Sequence, residues 1–483
     1  MIKKWTFNVG SRVTTKVIKW VYNTVGRFCQ EQAAATGVLI ALAIIPLVGL
    51  SGLGVDGARG YFVKAKLSQA VDAAALAGGR DIFSDDLQAE IDKYFFANFP
   101  AGYMDAVVAG PTFTTDENNE FITIEATATI KTTFMSVFDF DEMDVSARAL
   151  VQRAVRGMEL ALIMDNTGSM RGGNKITTMK DAAQDLINIL YGDFDEIPNF
   201  WVSLVPYTAA VNVGNTHASW LRDYNPNNFT PTVWKGCVEA RQVNDGDVTD
   251  TPPDLADEDT LWPPFFYPSD VDNNWPPIRE ENSWQNNGLG PNLGCGPAIT
   301  PLISSKPDIQ DAIDEMQPWH RGGTLTNLGL VWGWRTISPQ WRGLWGGDTP
   351  AELPLDYEDP LIDKVAIILT DGENQMYDHQ GGGPAGSDYT AYGRLGWGRL
   401  GTTNRWTAID RANDRLEDVC EAMKDEGIIL YTITFRLNDS DTQDIYRRCA
   451  TTPGQYFNSP SNSELSGIFR QIGSQLSNLR LAE

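Results

Sequence analysis

The chain has 483 residues, 42% of them hydrophobic, and a formal net charge of −25 from 63 acidic and 38 basic side chains. That apolar fraction argues against wholesale disorder, and the length allows two or three domains of roughly 100–200 residues each. An acidic body repels nucleic acid, whose binding depends on Lys and Arg neutralising phosphates, so a nucleic-acid partner is set aside.

The charge is uneven. Lys3, Lys4, Arg12, Lys16, Lys19 and Arg27 precede the first acid, Glu31, so the basic segment 1–32 stands apart from the acidic remainder. Residues 33–55 carry no ionised side chain and predict a transmembrane helix, long enough at 1.5 Å per residue to cross a hydrocarbon core about 30 Å thick. Pro46 and Gly49 are tolerable in such a helix, and the segment ahead of it is too long for a cleaved signal peptide. The excess of basic residues before the span predicts a cytoplasmic N-terminus, with everything after it outside. Gly26, five places before Glu31, resembles a type IV prepilin cleavage site; the expectation is an uncleaved anchor, with cleavage at Gly26–Arg27 as the alternative.

Residues 58–77 predict an outward continuation of the helix, ended by Gly78 and Gly79, and a shorter helix is expected over 86–98. Runs at 121–130 and 143–151 are rich in β-branched residues and read as strands. A helix followed by a small sheet gives 56–156 the outline of a pilin-like α+β module. From 157 onward short apolar runs at 160–164, 201–205, 365–369 and 428–435 read as buried strands, alternating with helices over 175–191 and 407–424. Such alternation predicts an α/β domain over 157–483 with a doubly wound, mainly parallel, Rossmann-like sheet. Core packing explains the apolar stripe of 464–481.

Two insertions interrupt this domain. The first, at about 214–297, is crowded with Pro, Asn, Asp and Trp and is expected to be an ordered lid or platform; the second, at about 380–404, is Gly-rich, with Gly381-Gly382-Gly383 read as a flexible loop. Asp270, Asp272, Asn274 and Glu281 echo a calcium loop without its Gly and read as a solvated acidic turn. Beyond Cys29, four cysteines allow three pairings. Cys237–Cys295 and Cys420–Cys449 are preferred because each pair falls within one segment, and disulfides imply an oxidising compartment; four buried thiols are the alternative. With three histidines and no CxxC, zinc is not expected.

The first buried strand ends in Asp165-Asn166-Thr167-Gly168-Ser169, a later helix-like run opens with Gly322-Gly323-Thr324, and the run at 365–369 leads into Thr370-Asp371-Gly372. Ligands of open parallel sheets collect beyond the carboxyl ends of strands, and hard cations take carboxylate and hydroxyl oxygens. In this order the segments resemble the von Willebrand A pattern, DxSxS with a distant Thr and a later Asp. The resemblance implies a metal-ion-dependent adhesion site of Asp165, Thr167, Ser169, Thr324 and Asp371 binding Mg²⁺, or another divalent cation such as Mn²⁺ or Ca²⁺. Thr167 stands where the family has Ser and keeps the hydroxyl. An open position on the ion would accept an acidic side chain from a protein partner.

A wider resemblance is carried by Val55-Asp56-Gly57-Ala58-Arg59, Asp72-Ala73-Ala74-Ala75-Leu76-Ala77-Gly78, Trp234-Lys235-Gly236-Cys237, Gly294-Cys295-Gly296-Pro297, Trp332-Gly333-Trp334-Arg335 and Cys449-Ala450. These segments are similar to TadG-type proteins of tight-adherence (Tad, Flp) pilus assembly. The resemblance implies a protein of the bacterial inner membrane, N-terminus cytoplasmic and C-terminal domain periplasmic, working with other Tad components. The expected function is pilus assembly or anchoring through metal-dependent protein binding, with a surface adhesin using the same site as the alternative. No His adjoins the expected ligands, so no enzyme is expected.

Overall fold

The computed structural model describes residues 32–80, 86–116, 121–152, 156–279, 288–319, 321–359, 361–377 and 384–481. The basic N-terminal segment, the Gly26–Arg27 bond, Cys29, Glu281 and Gly381-Gly382-Gly383 lie outside these residues. The chain divides into two compact units between Ala154 and Val155.

The first unit is built on α1 (Gln32–Arg80). Its N-terminal part is apolar and exposed, with Leu42, Ile45, Leu50 and Leu53 all about 60% accessible or more, and it fits a single-pass membrane anchor. Beyond Asp56 the helix becomes amphipathic: Val63, Leu67, Ala70, Val71 and Ala74 recur at helical spacing and are buried. They pack with α2 (Leu87–Asn98) and an antiparallel sheet in the order β1 (Val107–Thr115), β2 (Phe121–Lys131), β3 (Glu142–Gln152). In β2 the alternate residues Ile122, Ile124, Ala126, Ala128 and Ile130 face this core. Gly78 and Gly79 do not end the helix as expected. Both are buried inside its last turn, and a Cβ on Gly78 would stand 2.9 Å from Ile122 Cδ1, so this glycine serves close approach to the sheet. Strand β1 escaped sequence reading because Gly110-Pro111 interrupts its alternation, and a register shift between Ala109 and Thr112 absorbs the dipeptide.

The second unit is mixed α/β around an eight-stranded sheet. Its main path is β13 (Tyr456–Ser459), β12 (Ile429–Phe435), β10 (Ile362–Thr370), β4 (Gly157–Asp165), β5 (Phe200–Tyr207), β6 (Val211–Asn212) and β7 (Cys237–Val238), with β8 (Thr300–Ile303) also paired to β5. The first five strands of that path run parallel, and β6, β7 and β8 join antiparallel. All nine residues of β4 are buried. Its alternate side chains enter different cores. Ala161 and Ile163 pack with residues of α5 (Thr326–Ile337) and α6 (Arg405–Asp425). Leu160 and Leu162 pack with residues of α3 (Lys175–Tyr191), α4 (Lys306–Glu315) and α8 (Asn462–Leu481), where Leu465, Phe469, Ile472 and Leu476 are fully buried. Helix α7 (Ser440–Cys449) precedes β13, and the remaining short pair is β9 (Gly323–Thr324) with β11 (Gln375–Met376).

Both preferred disulfides form, Cys237–Cys295 and Cys420–Cys449. The first insertion contributes Trp220, Trp234, Trp262, Phe265 and Tyr267 to a core shared with Trp332, Trp341 and Trp345. Its acidic turn is not solvated as expected. Asp272 is 7% exposed and pairs with Arg321 and Arg394, while Asp270 pairs with Arg394. Two buried guanidinium groups supply the charge that water would have supplied, which composition alone does not reveal.

Another buried pair crosses the sheet, where Lys364 on β10 donates to Glu159 on β4 and to Ile337 O (2.8 Å), and Glu159 accepts from Leu355 N (2.6 Å). Breaking such a pair strands a buried charge, so Lys364→Met is expected to cost roughly 3–5 kcal/mol, and Glu159→Leu/Lys364→Met to recover much of it. Urea denaturation of the three proteins measures both.

Candidate metal centre

Strand β5 lies on one side of β4 and β10 on the other, so the strand order reverses at β4, and the crevice beyond the C-terminal ends of β4 and β10 is where open sheets bind ligands. Register pairs Met164 with Leu369, which sets Asp165 and Thr370 side by side at that edge. The Asp165 carboxylate is wholly buried. Its Oδ1 accepts from Thr167 N (2.8 Å) and Thr167 Oγ1 (2.6 Å), and its Oδ2 from Thr370 Oγ1 (2.9 Å), with longer contacts from Tyr207 OH and Asp371 N at 3.4 Å each. Thr167 Oγ1 lies 2.9 Å from Ser169 Oγ, which donates to Asp371 Oδ1 at 2.5 Å. A continuous chain of oxygens thus joins Asp165 to Asp371 across 202 residues of sequence between Ser169 and Asp371.

Thr324 arrives on β9, whose pairing with β11 ties it to the segment just after Asp371. Asn374 Oδ1 accepts from Thr326 N (2.8 Å) at the start of α5, and Trp319 N donates to Asn166 O (2.7 Å), so the Thr324 segment is bonded to both other loops. A cavity of about 270 Å³ is lined by Thr167, Gly168, Ser169, Gly323, Thr324, Gln375 and Tyr377. All five residues expected at the site therefore meet at one edge of the sheet: four in a hydrogen-bonded chain, and Thr324 on the wall of the cavity beside Thr167 and Ser169.

The insertions reach this edge through Arg321, the residue before Gly322-Gly323-Thr324. Its guanidinium donates to Asp388 of the second insertion (2.7 and 2.9 Å) and to Tyr267 OH (2.6 Å) and Asp272 (2.8 Å) of the first. Burial works against its charge, yet these carboxylates hold the Arg321 pKa above the ordinary value. Against its own desolvation, hydrogen bonds with Asp270, Arg394 and Tyr267, together with the charge of Arg394, hold Asp272 well below the usual carboxylate range.

Sequence reading missed Thr370, Tyr207, Asn374 and Lys175. Lys175 Nζ donates to Asp371 Oδ2 at 2.6 Å, with the Asp371 side chain fully buried. A faint signal existed: an ammonium at the first residue of α3 opposes the helix dipole and calls for a carboxylate nearby.

Asp165 titrates at about 6, raised by burial and then by the charge of Asp371. The edge therefore holds two buried carboxylates, one of them paired with Lys175, and three hydroxyls at matching positions. Hard oxygen donors with negative charge to spare fit a hard divalent cation. Among the described residues no group of three or more His, Cys, Asp or Glu side chains gathers as a metal cluster, so any ion here must draw on the hydroxyls.

Residues 33–81 match a family profile described as "Putative Flp pilus-assembly TadE/G-like". No curated protein matches the chain. Among solved structures, the vWF domain of the type V pili tip protein Mfa5 from Porphyromonas gingivalis is 10% identical, with 68% of this chain and 97% of that one covered and a TM-score of 0.36. The pilus adhesin SpaC from Lactobacillus rhamnosus GG is 11% identical, covering 77% and 34%, with a TM-score of 0.35. Proximal thread matrix protein 1 from the mussel byssus, in a structure with a zinc-occupied MIDAS motif, is 14% identical with a TM-score of 0.32, covering 67% of this chain and 46% of its own length. Likenesses at this distance carry no argument about function.

The Thr324 loop depends on a glycine. Gly323 has φ +112°, and a Cβ there would lie 2.0 Å from Gln375 O. Gly323→Ala is expected to separate β9 from β11 and to destabilise the protein by roughly 1–3 kcal/mol. A lower urea midpoint with an unchanged slope is the expected reading.

Proposed function

We propose that the chain is a membrane-anchored, TadG-type component of Flp (Tad) pilus assembly or anchoring that binds a protein partner through a divalent cation. In this reading 33–55 span the inner membrane, 56–156 form a pilin-like module, and 157–483 form a periplasmic, doubly wound von Willebrand A-type domain. Asp165, Thr167, Ser169, Thr324 and Asp371 hold Mg²⁺. The observation that carries the metal reading is the Asp165–Thr167–Ser169–Asp371 chain, which brings loops distant in sequence within bonding reach. The family match over 33–81 supports the pilus reading.

A bound cation would supply an electrophilic position for a partner's carboxylate. The chain's own residues do the rest. Thr167 and Ser169 hold their hydroxyl oxygens 2.9 Å apart, Asp165 fixes Thr167 through two hydrogen bonds, and Asp371 orients Ser169. Gly168 and Gly323 line the cavity that an entering side chain would use, together with Gln375 and Tyr377. In this reading the site binds its ligand and does no chemistry on it.

Three outcomes are expected. Mg²⁺ at a hundredfold excess over its dissociation constant stabilises the wild-type protein by about 2.7 kcal/mol and leaves Asp165→Ala unmoved in thermal melts. Retention of an envelope partner on the immobilised protein should likewise fail with chelator and with Asp165→Ala; retention under both would contradict metal-dependent binding. Lys175 places a competing positive charge on Asp371. A unit charge near a divalent ion costs about 2 kcal/mol at roughly 4 Å even at the dielectric of water, and more where the carboxylate is buried, so Lys175→Met is expected to tighten Mg²⁺ by at least tenfold. Titration calorimetry measures it.

A further inference from the structure

The turn between β2 and β3 reads Thr133-Phe134-Met135-Ser136-Val137-Phe138-Asp139-Phe140-Asp141. Its apolar side chains face outward, with Val137 71% and Phe140 61% exposed and Phe134 and Phe138 each 37% exposed. An aromatic turn left in water is costly, at about 25 cal/mol for each Å² of apolar surface. This turn lies against the apolar part of α1. A Cβ on Gly49 would come within 3.3 Å of the Phe138 ring, and one on Gly52 within 3.0 Å of Phe134 Cβ and 3.2 Å of the Met135 sulfur.

The residues of α1 that receive the turn, Gly49, Gly52 and Asp56, recur at helical spacing on one face. Asp56 fastens it. Only 2% exposed, its carboxylate accepts the backbone N–H groups of Thr133 (3.0 Å), Phe134 (2.9 Å) and Met135 (2.9 Å). Arg59, one turn further on, donates to Lys131 O (3.2 Å) and Thr133 Oγ1 (2.9 Å). The turn is thereby bonded back along the helix toward its apolar segment. Gly49 lies six residues before Val55, the end of the uncharged run, which at 1.5 Å per residue is about 9 Å inside it.

We propose that this turn is a second membrane element, an aromatic wedge seated in the interfacial layer of the leaflet through which α1 leaves the bilayer. The inference rests on the reading of α1 as a span. Continuity selects lipid as the occupant: the exposed side chains of Val137 and Phe140 belong to the same end of the unit as Leu50 and Leu53, which are 67% and 62% exposed on the span itself. Asp139 and Asp141 limit the depth, because carboxylates stay among headgroups while neighbouring aromatics reach roughly 5–10 Å toward the acyl chains. A span held at two points on one face has a fixed rotation as well as a fixed depth, which a lone helix lacks.

Nitroxide accessibility in the full chain tests this. In a Cys29→Ser background, with the remaining four cysteines paired, single labels are placed by Val137→Cys, Ile45→Cys and Thr115→Cys and the proteins reconstituted in phosphatidylcholine vesicles. Thr115 lies at the far end of the sheet, paired with Ile122. The ratio of oxygen to nickel-chelate collisions at 137 is expected to exceed that at 115 severalfold and to approach that at 45. A water-like ratio at 137 beside a lipid-like ratio at 45 overturns the wedge and leaves the span standing. A water-like ratio at 45 overturns both, and a label at 137 shielded from both reagents overturns lipid in favour of a protein neighbour.

Discussion

Parallel pairing of β10 with β4 is the constraint on which the candidate site depends. Because Met164 and Leu369 are register partners, the chain positions that follow them, Asp165 and Thr370-Asp371, emerge together at one edge. Two carboxylates brought that close repel, and burial sharpens the repulsion. The molecule answers with hydrogen-bond donors: Thr167 and Thr370 on Asp165, Ser169 and Lys175 on Asp371. Hydroxyls are suited to both tasks, since they donate to the carboxylates in the absence of an ion and offer lone pairs to one when it is present.

The long insertions are part of this design. Tyr267 and Asp272 from the first and Asp388 from the second converge on Arg321, whose neighbour segment carries Thr324. A buried guanidinium is stable only while its partners surround it, so the ordering of two loops far apart in sequence is coupled to the position of one hydroxyl beside the cavity. The aromatic core beneath, with Trp262 packed on Trp332 and Trp341, supplies the rigidity that loops of this length otherwise lack.

Much of the fold was legible because it rests on local patterns. The apolar runs became β4, β5, β10 and β12, and the amphipathic run at 175–191 became α3 with its bounds intact. Parts that depend on tertiary context were not legible. Strand β1 hides behind Gly110-Pro111, Gly78 looks like a helix stop but allows a close contact, and Asp272 looks solvated until Arg321 and Arg394 are seen around it. The meeting of Asp165, Thr167, Ser169, Thr324 and Asp371 at one edge was readable because three loops each carried an oxygen donor after a strand or before a helix. Lys175, Thr370 and Asn374 were not, since each matters only through a partner distant in sequence.

An anomalous difference map from crystals of the protein grown with Mn²⁺ tests the central claim most directly. A single strong peak among Thr167, Ser169, Thr324 and Asp371 is the expected result, with Asp165 behind it. A map without density there, or with Lys175 still bonded to Asp371 and the metal bound elsewhere, would contradict a cation site at this edge.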